Sequence, residues 1–159
     1  MRFSHRTLIF ISGGIWLLVG ILLLTRGISL LMFTLAKTGA PFPLLDFLTR
    51  FVGRREEGVL LLVALGLGLG FAKAKWVLAK SAHRVVKRIF SLSPPVALAK
   101  VYSLSYLLLL LGMIVLGISM KWIGLPFDIR GLVNLFVGSA LVNGAFVYFR
   151  IIYVEKSGA

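Results

Sequence analysis

Four long apolar runs divide this chain of 159 residues, and they constrain its fold more than any other feature. The runs are Leu8–Thr25, Gly58–Ala72, Ser103–Met120 and Gly131–Phe149. A helix needs about 20 residues to cross a hydrocarbon core about 30 Å thick. Within lipid, a helix also satisfies its backbone hydrogen bonds internally. The pattern therefore predicts an all-α, polytopic membrane protein with four transmembrane helices in a bundle.

Composition excludes several other classes of protein. Hydrophobic residues make up 59% of the chain and charged residues 14%, whereas soluble domains are about 45–50% apolar. A water-soluble fold would need more polar surface than this chain has. Cysteine is absent, which excludes a disulfide framework, a thiolate nucleophile and a cysteine metal site.

The second apolar run is short, with fifteen residues. It becomes long enough if the helix continues to Leu78 and the ammonium groups of Lys73 and Lys75 snorkel to the lipid headgroups. We therefore predict a single transmembrane helical domain, residues 1–159, with spans at about 8–25, 58–78, 103–120 and 131–149. An outer loop covers residues 26–57, and a cytoplasmic basic helix and loop cover residues 79–102.

The distribution of Lys and Arg predicts the orientation, because cytoplasmic loops carry the excess of positive charge. With the amino terminus inside, eleven of the eighteen cations are cytoplasmic. They are Arg2, Arg6, Lys73, Lys75, Lys80, Arg84, Lys87, Arg88, Lys100, Arg150 and Lys156. The first run also resembles a secretory signal, but no small-residue cleavage pattern follows it. We therefore expect a retained anchor in the cytoplasmic membrane, with both termini cytoplasmic.

The outer loop contains signals for further helical structure. Ser29–Ala36 can prolong the first helix, and Pro41 and Pro43 then end it. Leu44–Val52 has the pattern of a short interfacial helix. We expect this loop to cap the outer end of the bundle.

A basic stretch follows the second run. At 100° per residue, Lys80, Arg84, Lys87 and Arg88 lie within roughly 60° of Lys73 on a helix, and apolar residues occupy the opposite side. The second helix is thus predicted to extend on the cytoplasmic side as a basic amphipathic helix. Three interpretations stay open: a topological signal alone, a site for anionic lipid headgroups or another anion, or binding to nucleic acid or an acidic partner. The third is the least favoured, because stacking aromatics are missing from the basic face apart from Trp76 at its margin.

Glycines inside the runs predict close helix packing. The predicted packing positions are Gly13, Gly20, Gly66, Gly70 and Gly117. In the first span, glycines recur every seven residues at Gly13, Gly20 and Gly27. In the third span the same spacing links Gly117 to Gly124. Such stripes suit left-handed helix crossings.

Groups suited to catalysis are few. No Asp or Glu lies inside the four predicted spans, so we predict no catalytic residue, no metal site and no cofactor. An enzymatic alternative would need a general acid and base pair from Glu56, Glu57 and Asp128 at the outer edge. Carboxylates that flank helix starts are, however, expected from the helix dipole alone. The polar residues at depth include Ser12, Ser139 and Asn143. They either bond across to neighbouring helices or line a polar pathway.

Two segments carry a family resemblance. RGLVNLFVGSALVNGAFVYFR (residues 130–150) and KAKWVLAKSAHRVVKRI (residues 73–89) resemble small, uncharacterised bacterial integral membrane proteins with four spans. The resemblance implies a prokaryotic cytoplasmic membrane and no particular activity.

Two functional hypotheses follow. The first is a non-enzymatic membrane component that binds anionic lipid headgroups or an acidic partner through Lys73, Lys80, Arg84, Lys87 and Arg88. The second is an oligomeric subunit of a small transporter or channel for an anionic or small polar solute. The glycine stripes would then form contacts between copies of the chain, or with another membrane protein.

Overall fold

The computed structural model describes residues 2–3, 5–37, 40–75, 96–97, 112, 115–117 and 119–157. Its elements, in chain order, are β1 (Arg2–Phe3), α1 (His5–Ala36), α2 (Pro43–Val52), α3 (Arg55–Lys73), β2 (Val96–Ala97) and α4 (Phe127–Ser157). Residues 119–122 are also helical. The predicted all-α class is confirmed for the described residues, apart from the short antiparallel pair β1 and β2, which the sequence did not predict.

Two helical segments, Ile9–Ala36 and Phe127–Arg150, are long and apolar enough to cross a membrane. The first helix continues through Ser29–Ala36, as predicted. α3 covers the apolar run from Gly58 to Ala72. The rest of the second predicted span, beyond residue 75, and most of the third, 103–120, lie outside the described residues.

α4 is the helix against which α1 and α3 pack. Gly20 of α1 faces Val142 and Gly27 faces Leu135, so α1 runs antiparallel to α4. Gly66 of α3 faces Leu135 and Gly70 faces Ser139, so α3 runs parallel to α4. The carboxyl end of α1 and the amino ends of α3 and α4 therefore share one end of the molecule, which we call the α2 end. The opposite end is the Lys73 end.

α1 and α4 contact each other through glycines of one helix that face large apolar side chains of the other. A Cβ atom at Gly27 would lie 2.8 Å from Leu135 Cγ and 3.0 Å from the Gly131 carbonyl oxygen. Reciprocally, a Cβ at Gly131 would lie 2.7 Å from Leu31 Cγ. Each helix thus places a leucine over a glycine of the other helix. We call this arrangement the glycine–leucine interlock.

The interlock repeats one heptad further along both helices. A Cβ at Gly20 would lie 2.8 Å from Val142 Cγ2 and 3.0 Å from the Gly138 carbonyl oxygen, and a Cβ at Gly138 would lie 3.0 Å from Leu24 Cγ. At Gly13 the neighbours are the side chains of Tyr148 and Phe149, at 3.1 Å. A seven-residue repeat keeps one face of each helix against its partner. The packing role predicted for Gly13 and Gly20 agrees with these contacts.

α3 reaches α4 through its own glycines. A Cβ at Gly66 would lie 2.8 Å from Leu135 Cβ, and one at Gly70 would overlap the Phe136 carbonyl oxygen. Near the α2 end, the helices bury a cluster of apolar side chains. Its fully buried members are Leu31, Phe42, Leu45, Val59, Leu62 and Leu135.

The glycine stripe predicted for the third span, Gly117 and Gly124, is wrong at Gly124. Gly124 lies past the end of the helical turn 119–122, with φ of +70°. The Leu125 N–H donates to the Met120 carbonyl (3.2 Å) and the Gly124 N–H to the Lys121 carbonyl (3.2 Å). This pattern is a Schellman motif, which favours glycine in the left-handed conformation. No described atom lies within 4 Å of a Cβ built at Gly117.

We predict that Gly20→Ala lowers the stability of the protein. The new methyl group would press on the α4 backbone, and overpacking of this kind costs about 1–3 kcal/mol. The measurement is the thermal unfolding midpoint in mild detergent.

Gly14→Ala is the matched control in the same helix, because no described atom lies within 4 Å of the added Cβ. Its midpoint should be unchanged or higher, since alanine in a helix is favoured over glycine by about 0.5–1 kcal/mol. Equal midpoints for the two variants would contradict the interlock.

Candidate functional site

The amino end of α2 is held by a carboxylate from a different helix. The Leu44 N–H donates to Asp128 Oδ2 at 2.8 Å, and the Leu45 N–H donates to the same oxygen at 3.1 Å. Pro43, the first residue of α2, has no N–H to satisfy. Asp128, in the first turn of α4, therefore caps α2 across 84 positions of sequence.

The remaining backbone groups at this end of α2 are paired locally. The Phe42 N–H donates to Asp46 Oδ2 at 3.2 Å, and the Asp46 N–H donates to the Phe42 carbonyl at 2.7 Å. A helix start leaves several N–H groups without an intrahelical partner, and burial makes them costly. Here the two carboxylates of Asp46 and Asp128 accept all of the N–H groups from residues 42 to 45.

Asp128 is fully buried, and among the described residues it is the one buried charged side chain. Its second oxygen, Oδ1, accepts from the Ile129 N–H at 2.8 Å. The carboxylate thus lies at the amino ends of both α2 and α4. Each helix places the positive end of its dipole there, which stabilises a negative charge.

Cations and aromatic rings surround this cap. Arg55 forms an ion pair with Asp46, Nη2 to Oδ1 at 3.3 Å, and its guanidinium lies 5.9 Å from the centroid of Phe42. Arg130 lies 5.5 Å from the Phe127 ring. Exposed pairs of these kinds contribute little individually, about 0–1 kcal/mol. The buried carboxylate is therefore the dominant polar contact at the α2 end.

The cap has the geometry of a structural element. Both oxygens of Asp128 accept backbone N–H groups, which leaves this carboxylate poorly placed to act as a general acid or base. Within the described part of the chain, no group of three or more His, Asp or Glu side chains could hold a metal ion.

At the Lys73 end, the basic stretch begins. Lys73 and Lys75 are exposed, and Lys73 Nζ lies 5.7 Å from the centroid of the Phe136 ring. The Ala74 N–H donates to both the Gly70 and the Phe71 carbonyls, and residues 74–75 adopt a wider, π-helical turn. Four other members of the predicted basic face lie outside the described residues: Lys80, Arg84, Lys87 and Arg88.

The polar residues predicted at depth lie at different helix contacts. Ser139 is buried, and its hydroxyl donates to the Leu67 carbonyl of α3 at 2.9 Å. Asn143 Nδ2 donates to the Ser139 carbonyl at 2.8 Å. Ser12 is fully buried in α1, toward the Lys73 end. The structure brings Ser139 and Asn143 together and places Ser12 elsewhere.

Sequence reasoning missed two features. Gly131, Gly138 and Ala145 repeat every seven residues in α4, and this signal is as regular as the one recognised in α1. The cap by Asp128 has no comparable signal, because α2 and Asp128 are far apart in sequence. Asp128 was recognised only as a carboxylate flanking the start of a helix.

Comparison of the chain with protein-family models, with curated proteins and with solved structures finds no match.

We predict that Asp128→Ala releases α2 from the bundle. The variant leaves the Leu44 and Leu45 N–H groups without their acceptor, and hydrogen bonds to charged groups contribute about 1.5–3 kcal/mol each. Hydrogen exchange of these two amides should become much faster than in the native protein.

Glu57→Gln is the control, because it also removes one carboxylate charge, and Glu57 is exposed in the first turn of α3. It should leave the α2 amides protected. Slow exchange at Leu44 and Leu45 in the Asp128 variant would refute the cap.

Proposed function

We propose that this protein is a non-enzymatic, multi-pass component of the cytoplasmic membrane that binds anionic lipid headgroups through a basic face on its cytoplasmic side. The basic face consists of Lys73, Lys80, Arg84, Lys87 and Arg88. The protein crosses the membrane four times as a helical bundle, with both termini in the cytoplasm.

Support for a membrane environment comes from the outward surfaces of the long helices. Large apolar side chains stand exposed there, including Leu18 of α1, Leu60 and Phe71 of α3, and Phe146 of α4, each between 58% and 64% exposed. In water, each Å² of such surface costs about 25 cal/mol. In lipid this cost disappears. A contiguous apolar exterior is expected of a membrane bundle.

The observation that carries the headgroup proposal is the position of Lys73 and Lys75. Both are exposed where α3 ends, and the sequence continues at once with cations at helical spacing. A Lys or Arg near an anionic leaflet contributes about 1 kcal/mol of attraction. A row of them at the membrane surface would select anionic over neutral lipids.

Two observations disfavour the transporter alternative. That hypothesis needs the glycine stripes for contacts between copies, but Gly20, Gly27, Gly66 and Gly70 already contact α4 of the same chain. It also needs polar groups facing a pathway, whereas the Ser139 hydroxyl is bonded to the α3 backbone. The polar groups of this region stabilise helix contacts.

We predict that the triple variant Lys80→Gln, Arg84→Gln, Lys87→Gln weakens retention of anionic lipid. The loss of about 3 kcal/mol of attraction corresponds to a roughly hundredfold weaker affinity. The measurement is native mass spectrometry in mild detergent with equal amounts of phosphatidylglycerol and phosphatidylcholine.

The control triple is Lys37→Gln, Arg54→Gln, Lys121→Gln. It removes the same three charges, two Lys and one Arg, from exposed positions at or next to the α2 end. It should keep the preference for phosphatidylglycerol. Equal retention by all three proteins would contradict the proposal.

A flux assay in sealed liposomes provides the separate test of the alternative. Protein-dependent anion flux that Asn143→Leu reduces would replace the proposed function with transport. A headgroup-binding component should give no flux.

A further inference from the structure

The exposed side of α2 carries two chemically different flanks. Phe47 and Phe51 form an aromatic flank; they are 57% and 75% exposed, and their rings pack edge to face with centroids 5.1 Å apart. Asp46 and Arg50 form a charged flank. At 100° per residue, the centres of the two flanks lie about 100° apart, and both point away from buried Leu45.

Contacts with α3 orient these flanks. Leu45 and Thr49 pack on Gly58, one turn inside α3, whereas Asp46 pairs with Arg55, the first residue of α3. The charged flank therefore faces the outer tip of the bundle. The aromatic flank lies on the other edge of the exposed side, away from the ion pair between Asp46 and Arg55.

We infer that α2 is a second membrane contact, which lies along the outer surface of the bilayer with Phe47 and Phe51 inserted into the outer leaflet. An amphipathic helix at the interface buries its apolar side about 5–10 Å into the boundary between headgroups and acyl chains. The inference rests on the membrane placement in the proposed function, and it does not involve the basic face.

Lipid fits the aromatic flank better than a second copy of the chain does. Two phenylalanines bury about 150–250 Å² each, whereas a stable protein interface buries about 1,200–2,000 Å² in total. Arg50 is exposed beside the flank, where phosphate groups would neutralise it. Trp122 and Ile123, 86% and 74% exposed, precede α4 at the same end of the molecule, as expected of residues at a membrane interface.

The cap by Asp128 fixes the position of α2, and so of the aromatic flank, relative to the rest of the bundle. Because α2 is bonded at Leu44 and Leu45 to the first turn of α4, the aromatic flank cannot move along the membrane normal independently of the bundle. The helix thus sets how deeply the outer end lies in the bilayer.

The absence of cysteine from the chain allows a direct test with single spin labels. Phe47→Cys and Phe51→Cys report the aromatic flank, Arg50→Cys reports the charged flank, and Leu69→Cys, exposed on α3, reports the membrane exterior. The measurement is electron paramagnetic resonance in phosphatidylcholine and phosphatidylglycerol liposomes. It compares collision rates with oxygen, which dissolves in lipid, and with a water-soluble nickel chelate.

Labels at positions 47 and 51 should collide with oxygen several times more often, relative to the nickel chelate, than the label at position 50. Equal ratios at positions 47, 50 and 51, with a lipid-exposed label at position 69, would overturn the inference and leave the membrane placement intact. Labels at 47 and 51 that are shielded from both agents would also overturn it, because a second copy or another protein then covers the flank. A water-exposed label at position 69 would instead overturn the membrane placement shared with the proposed function.

Discussion

The glycine–leucine interlock between α1 and α4 determines the positions of the other elements. Within lipid, helices gain nothing from the hydrophobic effect when they associate, so close packing must supply the attraction. Gly20 and Gly27 allow the α4 backbone to approach to a distance that no larger residue would permit. The alternation of glycine with leucine also disfavours a shift of half a heptad, because that shift would bring leucine against leucine. In the observed register, the first turn of α4 lies beside α2.

The buried carboxylate of Asp128 accepts hydrogen bonds from two helices that begin next to each other. The amino ends of α2 and α4 both present N–H groups, and Asp128 accepts from both. An uncompensated buried charge would destabilise the fold strongly, but three N–H donors and two helix dipoles compensate this one. The same arrangement holds α2 rigidly against the bundle. The aromatic flank of α2 is thereby presented at a constant orientation, which a flexible loop could not do.

Local features were predictable from sequence, and features that join distant segments were not. Pro41 and Pro43 mark the end of one helix and the start of the next, and the structure has α1 ending at Ala36 and α2 beginning at Pro43. Gly20, Gly66 and Gly70 were recognised as packing positions, because small residues in an apolar helix let a neighbouring backbone approach closely. The partner of each glycine was not predictable, because periodicity identifies the face of a helix that packs and does not say which residue lies opposite.

The cap by Asp128 was unpredictable for the same reason. Its position before the last apolar run predicts an interaction with the dipole of α4, whereas its hydrogen bonds to α2 depend on how the helices pack. Gly124 was misread because a seven-residue spacing carried the pattern beyond the helix end.

The central position of α4 has a consequence for biosynthesis. α1, α2 and α3 all form their principal or capping contacts with α4, and α4 follows every other described element in the chain. More than a hundred residues separate Gly27 from Gly131, and a ribosome adds about 5–20 residues per second. For about 5–20 s after its synthesis, the glycine face of α1 is therefore without its partner on α4. Translation that stops before α4 therefore leaves α1 and α3 without their principal described contacts, and leaves the amino end of α2 without its cap.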